Sequence, residues 1–118
     1  METRDQKYAK AAFPKITAQK NGAAEKGYRT VALGFPVMIL QSGLVQATGF
    51  LLAKNGAEHQ AYLRDLADIL GFGSGDKLHD AVVRSQLAEY QLLTRKALEA
   101  AAWLKRYTQS LLSGDGEG

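Results

Sequence analysis

The most constraining feature of the sequence is its one long stretch without charge, TVALGFPVMILQSGLVQATGFLLA, which lies between Arg29 and Lys54. About twenty apolar residues suffice to cross a bilayer, so the length alone would allow a membrane span. The interior argues against a span, because it contains Pro36 and places the side-chain amides of Gln41 and Gln46 in hydrocarbon. A helix that is apolar nearly all round belongs in a protein interior. The segment therefore predicts a buried helix that begins at Pro36 and ends near Lys54.

The rest of the sequence also favours helices. Thr3 and Gln6 form a capping-box pattern, and Pro14 is expected to kink or restart the helix that follows. The buried face of this helix is predicted to hold four residues at helical spacing: Ala9, Ala12, Phe13 and Ile16. Further helices are expected at about 25–33, 36–54, 58–70, 76–90 and 94–112, with Asp76 and Thr94 as the last two N-caps. The prediction is an all-α, single-domain bundle of about six helices around the central apolar helix, with a domain over residues 1–112 and a disordered tail over 113–118.

Composition excludes several classes of site. The 118 residues include no cysteine, which rules out a disulfide framework, a thiolate zinc site and a cysteine nucleophile. Lysines and arginines are spread through the first twenty residues, unlike a secretion signal, so we expect a cytoplasmic protein. The net charge is +3 but uneven, because residues 1–30 hold seven Lys/Arg against three acids and residues 31–80 hold three against five. Basic ends of this kind favour an anionic partner.

Two motif-like fragments suggest catalysis, and neither is complete. The alternating glycines of Gly71–Gly75 follow no predicted strand and precede no G-K-[ST], so a linker is favoured over a phosphate-binding loop. His59 and the His79-Asp80 pair resemble part of the H…HD…D ligand set of metal phosphohydrolases. The only aspartate after Asp80 is Asp115, in the predicted tail. A metal-dependent hydrolase is thus the least favoured alternative, and no catalytic or metal-ligating residue is assigned.

The basic residues are more informative. Seven of them are candidates for contacts with phosphates: Arg4, Lys7, Lys10 and Lys15 on the first helix, and Arg95, Lys105 and Arg106 on the last. The first four fall within an arc of about 140° on a helical wheel. Glu99 is expected to pair with Arg95, four residues earlier. Trp103 and Tyr107 could stack on bases, although packing is the commoner role of such pairs. A merely solvated helix surface remains the alternative interpretation of the charges.

Three segments carry a resemblance to a known family. Eight residues of the uncharged stretch form the first pattern: Pro36, Ile39, Gly43, Leu44, Gln46, Ala47, Phe50 and Leu51. The second is Arg4, Gln6 and Ala9, and the third runs from Thr94 through Ala97, Leu98, Trp103, Leu104, Lys105, Arg106 and Tyr107. Together they resemble the small helical subunit of the type III-B (Cmr-module) CRISPR effector complex. One departure is Arg95-Lys96, where the family often has a Glu just after the threonine.

The resemblance implies an all-α subunit without catalytic activity or cofactor. It implies that the partners are the other effector subunits, further copies of the chain, and the guide RNA with its target RNA. An A-form duplex is bound through its shape and phosphates, which suits lysines and arginines on a rigid scaffold. Two alternatives stay open at this point. One is a helical protein-interaction module without nucleic-acid contact, and the other is the metal hydrolase.

Overall fold

The structure is a computed structural model, which describes residues 1–113. The described chain folds into six helices: α1 (Arg4–Gln19), α2 (Glu25–Ser42), α3 (Leu44–Ala53), α4 (Ala57–Ile69), α5 (Gly75–Arg84) and α6 (Leu87–Leu111). This confirms the all-α prediction and the number of helices. The domain boundary at residue 112 stays a prediction, and the predicted disorder of the tail concerns residues 114–118, which lie outside the described residues.

Helix α1 begins as predicted. The Thr3 hydroxyl accepts from the Gln6 backbone N–H, and the Gln6 side chain accepts from the Thr3 N–H, at 3.0 and 2.8 Å. The helix continues through Pro14 without restarting. A proline removes only one helical hydrogen bond, and here the remaining turns pack on the rest of the bundle.

The buried face of α1 differs from the predicted one. Its buried residues are Tyr8, Ala12 and Ile16, which are four residues apart. Ala12 and Ile16 were predicted correctly, whereas Phe13 remains 48% exposed. The buried face follows the row of Tyr8, Ala12 and Ile16 and is therefore rotated away from Phe13. The rotation turns Phe13 toward the edge of the contact between α1 and α6.

The prediction of one central apolar helix from Pro36 to Lys54 is wrong. Helix α2 passes through Pro36 and ends at Ser42, and α3 begins at Leu44. Gly43 separates them with φ +87° and ψ 158°, a conformation that residues with a Cβ rarely adopt. The uncharged segment is therefore a helical corner, and the start of α3 is completed by a long-range contact: the Val45 N–H donates to the Tyr90 hydroxyl at 3.2 Å.

The last two helices also begin at residues other than those predicted. Ser74, rather than Asp76, caps α5, because its hydroxyl accepts from the Lys77 N–H. Helix α5 ends at Arg84, and α6 is continuous through Thr94, which is therefore not an N-cap. The predicted linker between the fourth and fifth helices is confirmed, although Gly75 already belongs to α5.

All six helices contribute to one buried core. At its centre, the Tyr62 ring lies 5.6 Å from the ring of Tyr28 and 5.2 Å from that of Phe35. The Tyr28 hydroxyl donates to the Asp65 carboxylate at 2.8 Å. Burial raises the pKa of both tyrosines and also the pKa of Asp65, although the Tyr28 hydrogen bond opposes the last shift. We call Tyr28, Phe35, Tyr62 and Asp65 the buried aromatic cluster. Among the described residues, no helix is both long enough and apolar enough to cross a membrane.

Candidate nucleic-acid interface

Helices α1 and α6 pack side by side and run in the same direction. As the residue number rises along α1, the number of the residue that it contacts on α6 also rises. Four pairs define this contact, which we call the α1/α6 seam: Arg4 with Glu99, Asp5 with Trp103, Phe13 with Tyr107, and Lys20 with Leu111. The last pair joins the Lys20 ammonium to the Leu111 carbonyl at 2.9 Å, where a cation complements the negative end of the helix dipole. The seam thus places both groups of predicted RNA-binding residues on neighbouring helices.

Three of the seven candidate cations are paired with acids. Arg4 donates two hydrogen bonds to Glu99, at 2.7 and 3.0 Å, and this pairing raises the pKa of Arg4. Lys15 pairs with Asp68 of α4 at 2.5 Å, and only 19% of its side chain is exposed. Lys10 pairs with Glu2, and the Lys10 ammonium lowers the pKa of that carboxyl. The predicted continuous arc of four cations is therefore divided, because Arg4 and Lys15 connect α1 to its neighbours.

The other four candidates make no ion pair with any described residue: Lys7, Arg95, Lys105 and Arg106. The expected pair of Arg95 with Glu99 does not form, because Glu99 is bound to Arg4 across the seam. Arg95 and Arg106 are both exposed and lie about 20° apart on the wheel of α6. Arg95, where the sequence departs from the family pattern, lies inside α6, eight residues after Leu87. Its positive charge therefore does not oppose the dipole at a helix start.

Arg106 lies between two shallow grooves. One is lined by Pro36, Ala102, Lys105, Arg106 and Gln109, and the other by Asp5, Glu99, Ala102, Trp103 and Arg106. Its guanidinium is 5.8 Å from the centre of the Trp103 ring, within the range of a cation–π contact. The Trp103 indole N–H in turn donates to the Asp5 carboxylate at 2.6 Å. The grooves thus combine two cations, Lys105 and Arg106, with two acids. Glu99 is already paired with Arg4, whereas Asp5 carries a charge that repels phosphate.

The residues of the metal-site alternative each have another contact. The Nδ1 atom of His79 lies 2.7 Å from the Thr48 hydroxyl, and Asp80 accepts from Arg84 at 2.8 Å. The His59 and Phe50 rings form a T-shaped pair, with centroids 6.2 Å apart. Within residues 1–113, no group of three or more His, Asp or Glu side chains is placed to hold a metal ion. Asp115, the only aspartate after Asp80 in the sequence, lies outside these residues.

The glycine-bearing segment lies close to neighbouring helices. A Cβ at Gly49 would lie 3.3 Å from the Cε1 atom of His79, so this glycine allows α3 to approach α5 closely. A Cβ at Gly43 would lie 3.3 Å from the Tyr90 hydroxyl. Four of the eight pattern residues are fully or almost fully buried: Ile39, Leu44, Ala47 and Leu51. The buried part of the pattern therefore describes a corner and its packing surface.

Comparisons with known proteins agree with this architecture. The family described as CRISPR-associated protein (Cas_Cmr5) matches residues 4–111. The chain belongs to the Cmr5 family. A relative from Thermus thermophilus, described as CRISPR system Cmr subunit Cmr5, is 38% identical over 112 residues, which cover 95% of this chain and 98% of the relative.

A crystal structure of a Cmr5 family protein from the same organism superposes with a TM-score of 0.93 at 37% identity, covering 96% of this chain and all of the other. The resemblance identified from the sequence is confirmed. Sequence reasoning missed the pairing of Arg4 with Glu99 and that of Asp5 with Trp103. The two pairs are 95 and 98 residues apart, and no local signal connects them.

Proposed function

We propose that the chain is a non-catalytic small subunit of a cytoplasmic type III-B CRISPR effector complex. In this proposal it packs against the other subunits and further copies of itself, and it contacts the guide RNA and target RNA through the outer surface of the α1/α6 seam. Two observations together support the proposal. The chain belongs to the Cmr5 family, and four of its cations have no acidic partner among residues 1–113.

The proposed contacts divide the seven basic residues by role. Lys7, Arg95, Lys105 and Arg106 meet phosphates directly. Lys10 joins them, because its pair with Glu2 is exposed, and exposed ion pairs are weak enough to exchange partners. Arg4 and Lys15 have a positioning role instead, since they hold α1 against α6 and α4. Contacts of this kind give affinity and salt dependence without reading a base sequence.

A protein-interaction module without nucleic-acid contact is the second candidate. It is favoured by exposed apolar side chains, of which Leu40 and Leu87 are 71% and 73% exposed. Both functions can belong to one subunit, because these residues lie outside the grooves beside Arg106. The experiment must therefore separate assembly from RNA binding.

The test uses effector complexes reconstituted with wild-type or variant chain. The first variant combines Lys7→Glu with Lys10→Glu, and the second combines Lys105→Glu with Arg106→Glu. Both should copurify with the other subunits, and both should lower the affinity for target RNA. Asp5→Asn should raise that affinity, because it removes a negative charge beside Arg106 and keeps an oxygen for the Trp103 N–H. Normal assembly with wild-type affinity in all three would leave the protein-interaction module as the function. Failure of the wild-type chain to copurify would contradict membership of the complex.

A further inference from the structure

A row of aromatic rings ends in a cation on the outer side of the α1/α6 seam. The Phe13 ring packs edge to face on Tyr107, with centroids 5.3 Å apart, and Tyr107 lies 5.6 Å from Trp103. The guanidinium of Arg106 follows at 5.8 Å from the Trp103 ring. We call Phe13, Tyr107, Trp103 and Arg106 the seam row. It is an arrangement of rings and charge on two rigid helices.

The Phe13 end of the row is open. Phe13 is 48% exposed, and its neighbour on the same face of α1, one turn earlier, is the exposed Lys10. An exposed phenylalanine elsewhere, Phe50, is not equivalent, because the Lys54 ammonium already lies 4.8 Å from its ring centre. Arg106 and Lys10, whose pair with Glu2 is exposed, therefore lie near opposite ends of the row. Among the described residues, no cation lies over the Phe13 ring.

A row that has one exposed ring at its end, with cations nearby, suits one ligand chemistry. In proteins that bind single strands, bases stack on aromatic rings while cations hold the phosphates, and stacking tolerates any base because every base has a π-face. The bases of an A-form duplex are already stacked on each other and present no free face. Phosphate contacts alone would bind a duplex and a single strand alike. A preference for the single strand must therefore come from the exposed Phe13 ring.

We propose that the seam row binds an unpaired nucleotide of a single-stranded RNA segment, with its base stacked on Phe13 and the adjoining phosphates near Lys10 and Arg106. The proposal rests on the proposed function, because it assigns an RNA class to the same surface. It adds that this surface distinguishes unpaired from paired RNA.

The isolated full chain offers a direct readout, because Trp103 is its only tryptophan. The probes are a short single-stranded RNA, a duplex of the same length, and an abasic strand that keeps the phosphates. The variants are Phe13→Leu, which removes the ring and keeps apolar bulk, and Phe50→Leu as the matched control. Far-UV circular dichroism checks that both variants keep the helical fold.

The single strand should quench Trp103 fluorescence and bind the wild type more tightly than the abasic strand does. Phe13→Leu should lower single-strand affinity on the order of 5- to 100-fold and leave duplex and abasic binding unchanged, as stacking on one base requires. Phe50→Leu should change none of the three affinities. Any one of three results would overturn the proposal. Phe13→Leu could lower single-strand and duplex affinity equally, it could bind the single strand with wild-type affinity, or the wild type could fail to bind the single strand.

Failure of this proposal is distinguishable from failure of the proposed function. If Phe13→Leu behaves as wild type while the Lys105 and Arg106 charge reversals weaken RNA binding by the complex, only the stacking site is wrong, and the open ring serves protein contact instead. If neither change affects RNA binding by complexes that assemble normally, the phosphate-binding surface and the stacking site are both wrong.

Discussion

The buried aromatic cluster and the α1/α6 seam are built from the same chemistry in opposite surroundings. Each has three rings in a row, and in each an aromatic donor meets an aspartate: Tyr28 meets Asp65 at 2.8 Å, and Trp103 meets Asp5 at 2.6 Å. The cluster is dry, with Asp65 only 7% exposed, whereas the seam is open to solvent beside cations that have no acidic partner among residues 1–113. Rings therefore stabilise the fold in one region and remain available to a ligand in the other.

The largest expected effect comes from truncating one ring in each region. Tyr62→Ala removes the fully buried central ring of the cluster and should lower the free energy of unfolding by about 3–5 kcal/mol, because a cavity remains. Phe13→Ala should cost only about 1 kcal/mol, since nearly half of this ring is already in water. Chemical denaturation measures both. Equal losses would mean that the seam is as much a part of the core as the cluster.

A smaller effect is expected at the corner that ends α2, the helix that carries Tyr28 and Phe35. Gly43→Ala should cost about 1–3 kcal/mol, because the backbone conformation at φ +87° disfavours any side chain. Gly34→Ala is the matched control within α2. A Cβ there meets nothing within 4 Å, so alanine should stabilise the helix by about 0.5–1 kcal/mol. A destabilised Gly34 variant, or an unaffected Gly43 variant, would contradict this account of the corner.

The smallest expected stability effect depends on pH. Burial raises the pKa of Asp65 in the folded protein above its unfolded value of about 3.9, so its contribution to stability is present at low pH and is lost as pH rises. Asp65→Asn cannot ionise and can still accept from Tyr28. Its stability relative to wild type should therefore increase between about pH 4 and pH 7.

Denaturation at several pH values measures this difference. Asp80→Asn, at an exposed carboxylate on α5, controls for the loss of one negative charge. A stability difference between Asp65→Asn and wild type that shrinks toward neutral pH would show that the cluster stabilises the charged carboxylate.

The sequence predicted what local patterns can determine. The number of helices, the capping box at Thr3 and the family pattern around Gly43 were all accessible from neighbouring residues. The corner was missed because Pro36 is a stronger local stop signal than Gly43, and only packing reveals that α2 continues through the proline. The continuity of α6 was missed for a similar reason, since Thr94 is a good cap in isolation and a tolerated residue inside a packed helix.

The candidate interface was predictable in composition but not in arrangement. Helical spacing alone grouped Arg4, Lys7, Lys10 and Lys15. The division of that group depends on Glu99 and Asp68, which reach α1 from helices far along the chain. The exposure of Phe13 depends on which face of α1 is buried, and that face holds Tyr8, Ala12 and Ile16. Both features result from the packing of helices against each other. The periodicity of a single helix does not predict that packing.

The central claim is that the outer surface of the α1/α6 seam contacts RNA phosphates. The most direct measurement is the slope of log affinity against log salt for target RNA and reconstituted complexes that carry Lys7→Gln, Arg106→Gln or Lys15→Gln. Each of the first two should flatten the slope by about one unit, whereas Lys15→Gln should leave it unchanged, because Asp68 already neutralises the Lys15 ammonium. Wild-type slopes for both Lys7→Gln and Arg106→Gln in fully assembled complexes would contradict the claim.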